Sequence, residues 1–403
     1  RGRVGWGLEK LFTKSFSQNT PSVPLHKRSA MDNEYREVLS PSEERFERAR
    51  RKMGLFLGPL VFLAIYFFKP AALSPQAGKL AAIFGFMLVF WLTEAVPLSV
   101  TAIAGAVLNV LLGVAPAKDV LAPFAHPIVF LFIGSFIIAE AIMLHGLDKR
   151  FALAVFSIGF FQKSPLRVLF AIGAVSAGIS MWISNTAAAA MMLPIALGIL
   201  DTMKKAGGGR DVFDMKGFSI AMMLMVAYGA SVGGIATPIG TPPNLIGIGM
   251  IQEFTGVRIS FLEWVVFALP ITIVMFVYLF CILGLKKSFS TLDLGPIAEY
   301  VSKAKGALGK WKRGEVNTAL CFGAAIFLWV LPSIAELFMG KEAPVVRLLS
   351  ARLNEGVVAA LAAALLFVLP VSFKKGEYTI SWERAARIAW ATILLFGGGL
   401  SLG

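Results

Sequence analysis

Ser184-Asn185-Thr186 and Ala236-Thr237-Pro238-Ile239-Gly240-Thr241-Pro242-Pro243-Asn244 are polar interruptions, some fifty residues apart, in otherwise apolar sequence. The first separates the apolar runs 165–183 and 187–200, and basic residues flank both outer ends: Lys163 and Arg167 before, Lys204 and Lys205 after. Basic flanks mark the inner side of a membrane. Both ends therefore lie on one side, and the pair is expected to enter the lipid, turn at depth and leave again as a re-entrant hairpin. The second stretch holds three prolines and a glycine, and each proline removes a hydrogen-bond donor and crowds the preceding turn, so no regular helix survives there. Broken backbone at membrane depth is tolerated only where protein or a water-lined cavity satisfies its polar groups. Either stretch alone reads as a polar turn or a packing kink. Together they are expected to face one another at a site.

Composition makes the bilayer the solvent. Of the 403 residues 57% are hydrophobic and only 15% charged, with a mean hydropathy of +0.74, a balance that a water-soluble surface could not carry. Several apolar runs approach the roughly 20 residues needed to cross a hydrocarbon core. The net charge of +14 is a matter of placement. Traced from an inside N-terminus, 31 of the 38 Lys and Arg residues fall on the inner side, which accounts for the excess and excludes nucleic acid as a partner. Cys281 and Cys321 lie in apolar runs, and His26, His126 and His145 have no ligand spacing. A disulfide framework and a transition-metal site are thereby disfavoured.

These signals predict an all-α, multi-pass protein of the plasma or bacterial inner membrane with a cytoplasmic N-terminus. Residues 1–52 are read as a cytoplasmic tail in preference to a targeting peptide, and 53–126 as scaffold spans near 53–69, 79–97 and 98–116. Residues 127–260 form a first-repeat transport region that holds the hairpin 164–203 and a broken helix 217–250. A span at 261–285, a polar cytoplasmic loop at 286–313 and second-repeat spans at 314–403 complete the chain. Leu394-Leu395-Phe396-Gly397-Gly398-Gly399-Leu400-Ser401 echoes Phe130-Leu131-Phe132-Ile133-Gly134-Ser135-Phe136. The two segments run in opposite directions in this trace, the mark of an inverted repeat. No second hairpin follows, so repeat two is expected to be truncated at the C-terminus.

At the hairpin tip, Ser184, Asn185 and Thr186 precede a helical run whose free N–H groups and dipole attract an anion. Carbonyls freed by the turn and by the break at Gly240 are hard oxygen donors that suit an alkali cation. Every basic residue between Gly173 and Ile248 (Lys204, Lys205, Arg210, Lys216) falls in the predicted inner loop. A dianion at this depth would lack a fixed counter-charge, and desolvating it is costly unless mobile cations enter with it. Sodium could supply that charge.

With Gly240-Thr241-Pro242-Pro243-Asn244, Ser184-Asn185-Thr186 and, as minor support, Thr93-Glu94-Ala95-Val96-Pro97, the chain from about residue 53 onward resembles the divalent anion/sodium symporter family, whose members carry dicarboxylates, citrate or sulfate. The resemblance implies a first sodium site on Ser180, Ser184, Asn185 and Gly240. It implies substrate carboxylate contacts on Ser184, Asn185 and Thr186, with Thr241 and Pro242 alongside. It also implies a homodimer, an elevator-type movement, and sodium-coupled carriage of succinate-, malate- or fumarate-like dianions. The family's second Ser-Asn-Thr and second broken helix would lie beyond Gly403. Alternatives within the family are sodium-independent exchange and sulfate or citrate transport. An anion channel is a weaker alternative. A membrane enzyme would need a base near Ser184, and no His, Cys or Asp stands close in sequence. No phosphate-binding loop of the ATP-driven type is present.

Overall fold

A computed structural model describes residues 40–68, 73–206, 215–284 and 295–402. Chain order gives α1 (Pro41–Phe67), α2 (Pro75–Thr93), α3 (Leu98–Leu111), α4 (Ala117–Leu121), α5 (Pro127–His145), α6 (Leu147–Phe156), α7 (Pro165–Ser180) and α8 (Asn185–Ala206). There follow α9 (Met215–Gly233), α10 (Pro242–Thr255), α11 (Phe261–Gly284), α12 (Gly295–Leu308), α13 (Arg313–Met339), α14 (Pro344–Arg352) and α15 (Glu355–Val368). A small antiparallel pair, β1 (Pro370–Ser372) and β2 (Glu377–Tyr378), precedes α16 (Trp382–Ala385) and α17 (Trp390–Leu400). Among the described residues six helices are long and apolar enough to cross a membrane, or seven if the bent pair α14–α15 is one span. The protein is an all-α, multi-pass integral membrane protein.

Two apolar cores organise the helices. One gathers α7, α8 and α9 with the buried Phe156 of α6 and with Ile297 and Val301 of α12. The other gathers α5, α13, α15 and α17 with Ile239, Leu245, Ile248 and Phe261. Helix α5, grouped with the hairpin on sequence grounds, thus buries most of its core residues with the later helices; Ala139 belongs to the hairpin core.

The internal repeat is visible in how α3, α5, α15 and α17 touch. Helices α3 and α15 are each 14 residues long, and Ala102 and Ala359 hold the same place in them. A side-chain carbon on Gly134 of α5 would stand 2.4 Å from the Ala359 carbonyl carbon, and one on Gly398 of α17 would stand 2.6 Å from the Ala102 side chain. Each repeat therefore offers a glycine to the other repeat's alanine, and backbones approach this closely only where residues are small. Phe132 and Phe396, matched in the two echoing segments, meet with ring centroids 5.5 Å apart.

Several predicted boundaries move. Helix α1 begins well before residue 53 because Ser40 and Glu43 form a reciprocal cap, Ser40 N donating to Glu43 Oε2 at 2.7 Å and Glu43 N to Ser40 Oγ at 3.4 Å, which starts a helix regardless of polarity. The predicted loop 286–313 contains α12, which its charges hid: Ile297 and Val301, four apart, are buried on one face. Within the second-repeat spans predicted at 314–403, α15 is a 14-residue helix joined to α14 at a 58° bend, with Asn354 Oδ1 accepting from Gly356 N at 2.9 Å to start α15 afresh. The tail 1–39 and the basic residues Lys69, Arg210, Lys286 and Lys287 lie outside the described residues.

Candidate functional site at the hairpin tip

Small residues bring the hairpin against the broken helix. Gly173 and Ala177 of α7 face Gly229 and Gly233 of α9: a side-chain carbon on Gly229 would come within 3.1 Å of the Gly173 carbonyl oxygen, and one on Gly233 within 2.2 Å of the Ala177 carbonyl oxygen. Both pairs are spaced four apart, so they form one ridge along each helix. The ridge points at the ends of both helices, where regular backbone stops.

Helix α7 ends at Ser180 and α8 starts at Asn185, so the chain reverses within four residues. The 16 residues of α7 rise about 24 Å. Helix α8 is longer, and its far end carries the exposed Asp201, Lys204 and Lys205, which suits a return to water beyond the depth of α7. Ser184 caps α8: its carbonyl accepts from Ala188 N at 2.9 Å and its hydroxyl from Ala187 N at 3.3 Å. In the other element α9 stops at Gly233 and α10 begins at Pro242, with Gly234 to Gly240 non-helical between them.

The two interruptions meet. Ser180, fully buried, donates its hydroxyl to Asn185 Oδ1 at 2.7 Å. That same Oδ1 lies where a side chain on Gly234 would be, 2.3 Å from the carbon position. A side-chain carbon on Gly240 would stand 2.5 Å from the Gly234 carbonyl oxygen and 2.9 Å from the Ser180 carbonyl oxygen. Glycine is required at 234 and 240 by this close approach. Thr237, 3% exposed, joins the halves: its hydroxyl donates to the Met181 carbonyl of the hairpin and accepts from Gly240 N at 3.1 Å. Asn244 holds the break open, its Nδ2 donating at 2.8 Å to the carbonyls of both Gly234 and Thr237.

Of the expected site residues, Ser180, Asn185 and Gly240 are thus brought together. Ser184 and Thr186 are exposed beside them, and Thr241 and Pro242 are half-buried immediately after Gly240. The Ser184 hydroxyl is engaged as a cap, and Thr241 precedes α10 without capping it through its side chain. Gly234, Thr237 and Asn244 are contacts that sequence reasoning did not single out. Their signal was present, since all three lie within or next to the quoted interruption. The oxygens gathered here are hydroxyl, amide and carbonyl, a hard, uncharged set that fits an alkali cation and offers nothing to a soft metal. No group of three or more His, Cys, Asp or Glu able to hold a metal ion occurs among the described residues. Lys204, Lys205 and Lys216 are exposed, leaving the hairpin tip without a lysine nearby in its own helices.

A family model described as "Sodium:sulfate symporter transmembrane region" matches residues 50–403. The chain is 32% identical over 357 residues to the sodium-dependent dicarboxylate transporter SdcS of Staphylococcus saprophyticus, which covers 87% of this chain and 66% of that protein. It is 31% identical over 358 residues to the transporter of the same name from Staphylococcus aureus strain USA300, covering 88% and 67%. The chain spans about two thirds of the length of these relatives. With the match running through both repeats and across the hairpin and the break, the chain belongs to the divalent anion/sodium symporter family.

Proposed function

We propose that the protein carries dicarboxylate-type dianions together with sodium by alternating access, the hairpin and broken helix moving as one body in an elevator-type step. The observation that carries this reading is the convergence of Ser180, Asn185 and Gly234 oxygens beside Gly240, with a helix N-terminus directly beside it. Sodium would sit among the Ser180, Asn185 and Gly240 oxygens, with Ser184 contributing its backbone. Substrate carboxylate would meet Asn185, Thr186 and the exposed Ser184, with Thr241 and Pro242 on the opposite wall. The N-terminus of α8 favours negative charge, and co-bound sodium offsets the cost of desolvating it. The relatives' names agree with this cargo, and the family description makes sulfate the runner-up. The working unit is a homodimer in the inner membrane with the N-terminus inside.

Uptake of labelled succinate into proteoliposomes holding the full-length protein tests the reading. It should saturate, rise with sodium and vanish when choline replaces sodium. Saturable uptake undiminished in choline would refute the coupling, and uptake of sulfate but not succinate would move the protein to the runner-up.

A further inference from the structure

On the flank of the hairpin turn that carries Trp182 and Ile183, a groove of about 390 Å³ opens between α6, the end of α7 and the start of α13. Its walls include Phe151, Gly178, Trp182, Trp311 and Phe322, and the one carboxyl among its lining residues belongs to Asp148. Gly178 leaves room on the hairpin wall, where a side-chain carbon would meet only the Phe151 ring at 3.7 Å. Trp182 and Phe322 meet edge to face at 5.0 Å, so the groove presents aromatic surface from both the hairpin turn and α13. Arg150 also lines it, but its guanidinium is engaged by both Glu315 oxygens, at 3.0 and 2.9 Å, and lies over the Trp311 ring at 4.9 Å.

Asp148 is the unusual member. It is 5% exposed yet lines the groove, and among the described residues it forms no ion pair. Its Oδ1 accepts from Lys149 N at 2.7 Å. Burial pushes its carboxyl up from the ordinary value. A place in the first turn of α6 explains why an acid is tolerated there, but a first-turn acid is normally solvated, and this one faces an aromatic cavity.

We propose that this groove is a binding site for an organic ammonium ion with an apolar body. Asp148 meets the positive head, and Trp182, Phe151 and Phe322 enclose the body. Aromatic faces attract organic cations, more strongly when water is excluded, and a buried carboxylate gains most from a charged donor. An anionic ligand would meet the carboxylate with Arg150 already neutralised by Glu315, and a neutral one would bring Asp148 no charge beyond that of its chain neighbour Lys149.

The test uses 4-phenylbutylamine and its neutral isostere 4-phenylbutanol, titrated against the full-length purified protein and followed by tryptophan fluorescence and calorimetry. The amine should bind at least 10-fold more tightly than the alcohol. Asp148→Asn should bring the amine down to the alcohol's affinity and leave the alcohol unchanged. Equal affinities in the unsubstituted protein, or a preference for the amine that survives Asp148→Asn, would overturn the assignment. Should Asp148→Asn fail to fold, as judged by its melting, Ala154→Trp decides the matter. Ala154 is an exposed lining residue, so tryptophan there fills the groove without touching the acid and should reduce amine binding at least 10-fold. Unreduced binding would place the amine elsewhere and end the proposal.

Discussion

At the scale of single residues the site depends on Thr237, whose one hydroxyl serves both interruptions, donating to Met181 O and accepting from Gly240 N. Thr237→Val keeps the shape and removes both hydrogen bonds, leaving the half-buried Met181 carbonyl without this donor and Gly240 N with only its longer bond to the Thr237 carbonyl at 3.3 Å, at a cost of about 1–3 kcal/mol. Since it ties the backbone of Gly240 to Met181, the residue after Ser180, and both Gly240 and Ser180 are proposed to hold sodium, the sodium concentration for half-maximal uptake should rise about 10-fold. The succinate dependence at saturating sodium should change far less. Thr237→Ser, which restores the hydroxyl, should recover most of the difference. Equal losses in the sodium and succinate titrations would show a general collapse and sink this role.

At the scale of elements, what matters is how closely α7 and α9 approach. Gly233→Leu forces a side chain into the Ala177 carbonyl, where backbone must give way, so melting of the purified protein should fall and uptake should be lost. Gly247→Ala is the contrast. Gly247 lies inside α10 with nothing within 4 Å of an added carbon, and alanine should stabilise that helix by up to about 1 kcal/mol. A destabilised Gly247→Ala or an unaffected Gly233→Leu would contradict this account. The tie between α6 and α13 is electrostatic: Arg150 and Glu315 side chains are 15% and 5% exposed and pair at 2.9 Å. Arg150→Met should cost about 3 kcal/mol by leaving a buried carboxylate with fewer partners. The double variant Arg150→Met/Glu315→Gln should recover more than half of that in the same melting experiment.

At the scale of the whole molecule, the distribution of basic residues predicts an orientation with the N-terminus inside. Cysteines placed at Lys303 and Lys374 should react with an impermeant maleimide only from the cytoplasmic side. One at Lys341 should react only from outside. All three side chains are exposed, and Cys321 is buried, so background labelling falls mainly to the half-buried Cys281. Labelling of Lys341 and Lys374 positions from the same side would overturn the trace.

How far the sequence went can be stated residue by residue. Hydropathy, proline chemistry and basic flanks are local properties. They determined the membrane class, the polar turn at Ser184-Asn185-Thr186, the break around Gly240 and the helices that carry both. Local signals end where charge and packing disagree. Residues 286–313 read as a loop because lysines dominate them, while α12 exists through Ile297 and Val301 docking on the hairpin core. Gly134 against Ala359 and Gly398 against Ala102 are spatial pairings across more than two hundred residues, which no window of sequence contains. The same holds for Gly234, Thr237 and Asn244. Their residue types announce a broken helix, but only the meeting of α7 with α9 decides which carbonyls they hold and where those point. A buried oxygen becomes a ligand through the partners folding brings to it, and those partners are set by tertiary contact.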